Sequence, residues 1–73
     1  MTILVLSTQR EYIYINIGNL DNAGIISLLC KASEKRYFKI HGFYNNGDLS
    51  EEELNRIKNK KRYFDSVEKF LKW

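Results

Sequence analysis

Residues 11–17 read Glu-Tyr-Ile-Tyr-Ile-Asn-Ile, a strict two-residue alternation built from β-branched and aromatic side chains. Successive side chains of a strand point to opposite faces of a sheet, so this period predicts a strand with one buried face. Ile13, Ile15 and Ile17 share that face. Tyr12, Tyr14 and Asn16 share the other. A continuous apolar run, residues 2–7, lies just before it. With only Ser7-Thr8-Gln9-Arg10 between them, the two runs predict a hairpin, although the turn lacks the Asn-Gly or Asp-Gly of a tight one.

The remaining pattern switches period twice. Gly18-Asn19-Leu20-Asp21 breaks the strand, and Asp21 is an expected N-cap. Ile25, Leu28, Leu29 and Ala32 then fall on one side of a helix over about 21–34. Residues 36–44 alternate again, with Phe38 and Ile40 on one face and Tyr37, Lys39 and His41 on the other. Asn45-Asn46-Gly47-Asp48 is a turn cluster. Ser50-Glu51-Glu52-Glu53 is a capping box, with Leu49 and Leu54 placed as a hydrophobic staple. The helix it opens carries Leu54, Ile57 and Phe64 on one stripe. Asp65-Ser66-Val67-Glu68 resembles a second start, which predicts a break near 64–65. The tetrapeptide Lys-Arg-Tyr-Phe occurs at 35–38 and again at 61–64, too few copies for a repeat protein.

The expected fold is therefore α+β, a single domain over residues 1–73. It has a small three-stranded, mainly antiparallel sheet in the order β-β-α-β-α. The helices pack on one face, and the last is open to being split. Ile13, Ile15, Ile17, Phe38 and Ile40 would lie beneath the helices.

Size limits what such a domain can do. A chain of 73 residues buries only about 60% of the surface its unfolded form exposes. Nearly every apolar residue is needed for the core, leaving little for a substrate cavity of roughly 300 Å³ or more. Hydrophobic residues are 44% and charged residues 29%, which argues against disorder. With no proline, nothing marks a linker. A lone cysteine, Cys30, excludes an internal disulfide, and its place at the edge of the apolar arc predicts a buried packing role. One cysteine and one histidine, His41, cannot make a closed zinc site, and no phosphate-binding glycine loop is present. No metal, cofactor or catalytic set is expected. The first residues lack a basic leader and are too short an apolar run for a membrane span. A cytoplasmic location without membrane contact is the expectation.

Three functional readings stay open. The first takes Tyr12, Tyr14, Tyr37, Lys39 and His41 as one exposed sheet face, suited to a protein interface. This gives a small non-enzymatic regulatory or inhibitory protein that docks on another protein, of the kind phages and mobile elements encode. The second takes Lys58, Lys60, Arg62 and Lys69 as a phosphate-contacting helix face of a sequence-tolerant nucleic-acid-binding module. The net charge of +3 permits either. The third, a toxin-like ribonuclease, would use His41 as acid or base with help from Glu11, Glu34, Tyr37 or Lys39. Free sheet edges and small size make a homodimer compatible with all three. Phe70 and Trp73 are placed either to pack internally or to meet a second copy.

Overall fold

The computed structural model of the protein describes residues 1–35 and 37–73. Its elements are β1 (Ile3–Ser7), β2 (Tyr12–Asn16), α1 (Asn22–Lys35), β3 (Lys39–Tyr44), α2 (Glu51–Lys58), β4 (Tyr63–Phe64) and α3 (Val67–Lys72). The class is α+β as expected, but the sheet has four strands in the order β3-β1-β2-β4. Strands β3, β1 and β2 are antiparallel. β4 adds a parallel edge, Tyr14 opposite Tyr63 and Ile15 opposite Phe64.

The hairpin turn dispenses with Asn-Gly. The Thr8 backbone N–H donates to the Glu11 carbonyl at 2.9 Å, and the Thr8 hydroxyl oxygen accepts from the N–H groups of Arg10 and Glu11 at 3.2 Å each. A side-chain turn of this kind satisfies the backbone that a glycine turn would otherwise organise.

β1 lies between two strands, and both of its faces are buried. Leu4 and Leu6 join Ile13, Ile15 and Ile17 under α1 and α3, which contribute Leu28, Ala32 and Phe70. Ile3 and Val5 point the other way and pack with Ile57 of α2, flanked by Leu49, Leu54, Tyr14, Tyr44 and Tyr63. The expectation of helices on one face is thus corrected: α1 and α3 cover one face and α2 covers part of the other. The physical reason is β1 itself. Its Ile3-Leu4-Val5-Leu6 run has no polar residue on either side and must be covered on both.

The helix starts are as the sequence specifies. The Asp21 carboxylate accepts from the Gly24 N–H at 2.8 Å. Ser50 and Glu53 exchange side-chain-to-backbone hydrogen bonds at 3.2 Å in both directions, and the Leu49–Leu54 staple closes onto the second core. α2 is only eight residues long, so its cap matters. Ser50→Ala is expected to cost about 1 kcal/mol, measured as a lower denaturant midpoint with unchanged slope.

The last helix breaks earlier than expected. α2 stops at Lys58, with Asn59 as its C-cap. Tyr63-Phe64, expected to be helical, instead extend beside β2, as residues that favour strands. α3 restarts with the Ser66 hydroxyl oxygen accepting from the Lys69 N–H at 3.2 Å. The two copies of Lys-Arg-Tyr-Phe share one consequence. Phe38 and Phe64 both pack on Phe70, at ring-centroid distances of 5.9 and 5.6 Å. Phe70 and Trp73 pack internally, against each other and the first core. β3 begins at Lys39, not 36; of the expected strand, Arg36 lies outside the described residues. Cys30 is exposed rather than buried, because it sits two residues past Leu28 on the opposite side of α1. Ile40 is also exposed, since β3 is an edge strand that α1 does not fully cover.

Candidate protein interface

Cross-strand register places the expected interface residues. On the α2 side of the sheet, Ser7 of β1 faces Tyr12 on one neighbour and Lys39 on the other. The register of β3 shifts between Val5 and Leu6, leaving His41 as an extra residue, a β-bulge. Bulges re-aim side chains, and this one sets the His41 ring against Tyr12 at a centroid distance of 4.8 Å. Tyr12, Lys39 and His41 therefore form one cluster at the end of the sheet that α2 leaves open. Tyr12 is 51% exposed. A shallow hollow of about 220 Å³ adjoins them, lined by Val5, His41, Gly42, Phe43 and Tyr44.

Tyr14 does not belong to this cluster. It packs against the Ile3–Val5–Ile57 core, and the Lys60 ammonium sits 5.8 Å from its ring centroid, near the outer limit of a cation–π contact. Burial raises its phenol above the ordinary value of 10.0, and the neighbouring Tyr44 and Tyr12 phenols add to the shift. A raised folded-state value means that Tyr14 supports the fold in its neutral form. That contribution is complete below the unfolded value near 10 and is lost as pH rises through the higher folded one. Unfolding measured from pH 9 upward should therefore show a shallower alkaline loss of stability in Tyr14→Phe than in the parent chain.

Tyr37 lies off the sheet, before β3, and is 82% exposed. It borders an open groove of about 650 Å³ with Thr8, Gln9, Arg10, Glu11 and Arg62. Across that groove Arg62 Nε donates to Glu11 Oε1 at 3.0 Å, and the Arg62 guanidinium stacks 4.9 Å from the Trp73 ring centroid. The five expected interface residues thus divide into an open cluster (Tyr12, Lys39, His41), a neighbouring exposed ring (Tyr37) and a packed residue (Tyr14).

The basic helix face is not assembled. Lys58 ends α2, and Lys60 and Arg62 lie in the turn that follows. Lys69 belongs to α3, on the opposite side of the sheet. Arg62 is paired with Glu11, and Lys69 with Asp65 at 3.0 Å. The ribonuclease reading loses a helper, because Glu11 is engaged by Arg62 while His41 rests on Tyr12. Among the described residues no three His, Cys, Asp or Glu side chains are grouped to hold a metal ion. None of their helices is long and apolar enough to cross a membrane.

Comparison with protein-family models, with curated proteins and with solved structures gives no match. The reading of this surface rests on its own geometry.

Proposed function

We propose that this chain is a small non-enzymatic regulatory or inhibitory protein that docks on another protein through the open end of its sheet. The observation that carries the reading is the exposed Tyr12–His41 pair beside Lys39. These side chains sit on strands paired to β1, yet they belong to neither core. Rigid amphipathic rings give contact area at low entropic cost, which is why tyrosine is frequent at interfaces. Tyr37 and Arg10 extend the same end of the molecule.

The nucleic-acid reading is the weaker one, because its four cations lie on both sides of the sheet and two are paired with carboxylates. The test is capture from a lysate of the native host by the tagged chain, with and without nuclease. A single protein retained at stoichiometric level after nuclease is the expected result. Loss of all captured material with nuclease, together with binding that weakens steeply as salt rises, would overturn the docking reading in favour of nucleic acid.

A further inference from the structure

We propose that the free edge of β3 pairs antiparallel with β3 of a second copy, joining two four-stranded sheets into one. The pairing rests on the outward backbone and the α1-side residues of β3, not on the docking reading, although Lys39 and His41 belong to both surfaces.

Among the described residues β3 has a strand neighbour on one side only. The direction of its unpaired groups follows from the hairpin. Thr8 bonds to Glu11, and Ile17 to Thr2, through the backbone at 2.9 Å. Antiparallel pairs alternate between bonded and non-bonded, so Leu4 and Leu6 turn their N–H and C=O groups toward β2. Ile3, Val5 and Ser7 turn theirs toward β3. Their partners Tyr44, Gly42 and Lys39 face inward, which leaves the backbone groups of Phe43 and Ile40 facing out.

The side chains of these two residues are also exposed, Phe43 at 42% and Ile40 at 51%. Both stand opposite the β1 leucines, so both lie on the α1 side of the sheet. Ile26, 62% exposed, lies one turn beyond Asn22. Asn22 and Ile25 share a hollow with Phe43, so Ile26 is on the flank of α1 nearest β3. Among the described residues, Ile26, Ile40 and Phe43 are the large exposed branched-aliphatic and phenyl side chains, and Ile40 and Phe43 both stand on this edge.

The edge is complementary to itself. A two-fold axis that sets Ile40 opposite Phe43 of the second copy pairs the outward backbone groups with each other. It stacks the exposed apolar side chains on one face and places Lys39 opposite Tyr44 and His41 opposite Gly42. No like charges meet, and like charges directly opposite would weaken the pairing. Growth stops at two copies, because the other edge of the sheet is the two-residue β4, too short a template to extend the sheet. A strand of six residues is about 20 Å long, so the contact is small and the dimer reversible.

The test is sedimentation equilibrium of the full chain over a concentration series, beside an Ile40→Lys/Phe43→Lys variant. Both positions are exposed in the monomer, and circular dichroism checks that the variant is folded. The wild-type mass is expected to rise from 8.7 kDa to twice that value and stop. The variant should dimerise roughly a hundredfold more weakly, because the pairing would bury unpaired ammonium groups. Hydrogen exchange on the wild-type chain gives a second readout, in which the Ile40 and Phe43 amides should slow as concentration rises. A wild-type mass fixed at 8.7 kDa up to about 1 mM would overturn the proposal. So would a folded variant that dimerises as well as wild type, or edge amides indifferent to concentration.

Discussion

Val5→Asp is expected to unfold the chain. Val5 is 2% exposed and packs with Ile3 and Ile57 between the sheet and α2. A carboxylate there would stand among apolar and tyrosine neighbours, with only the shallow hollow beside Gly42 to give it water. Burying an unpaired charge of this kind costs roughly 4–5 kcal/mol or more. A domain of 73 residues has only about 4–11 kcal/mol of stability in total. Ser7 lies two residues on, on the same face but beyond the cover of α2. Ser7→Asp should stay within about 0.5 kcal/mol of wild type. Circular dichroism and denaturant unfolding of the two variants separate a sheet covered on both faces from one covered on a single face. In the single-faced arrangement Val5→Asp would be as mild as Ser7→Asp.

Phe70→Ala is the second large loss, expected at about 3–5 kcal/mol. Phe70 is 3% exposed. It ties α3 to the sheet through edge and tilted ring contacts with Phe38, Phe64 and Trp73. Those rings come from the α1–β3 connection, from β4 and from the C-terminal residue, so one truncation loosens three segments at once. Lys35 adds a further tie by donating to the Leu71 carbonyl at the end of α3. The thermal midpoint should fall by roughly 4–8 °C for each kcal/mol lost. A fall of only a few degrees would mean that α3 is not part of the cooperative core.

These two positions also show what was legible in the sequence. β1, β2, α1 and the start of α2 carry their periods and caps in plain view, and the structure has them within a residue or two of the expected bounds. The cover on both faces was implicit in Ile3-Leu4-Val5-Leu6. That run lacks the polar alternation of a strand with one wet face, so it required packing on each side. β4 was not legible because two residues carry no period. The strand tendency of Tyr63-Phe64 after Asn59 was its only signal. The candidate site was half legible. Alternation correctly grouped Tyr12, Lys39 and His41 on one face, but the bulge that seats His41 on Tyr12 depends on the pairing of β3 with β1, a non-local event. Tyr14 shares that alternation and is nevertheless covered, because it lies on the part of the face that α2 reaches. The exposure of Ile40 and Cys30 is likewise decided by which neighbours an edge strand or a helix flank finds, not by local pattern.

The central claim is that the Tyr12–His41 cluster serves a partner rather than the fold. Its most direct test is the affinity of the nuclease-resistant protein partner for a Tyr12→Ala/His41→Ala variant, beside wild type, with unfolding curves measured on both. The expected result is an unfolding midpoint close to wild type and binding at least about tenfold weaker, a loss of roughly 1.4 kcal/mol or more. Unchanged affinity in a variant that is still folded would contradict the claim and move the interface away from the open end of the sheet.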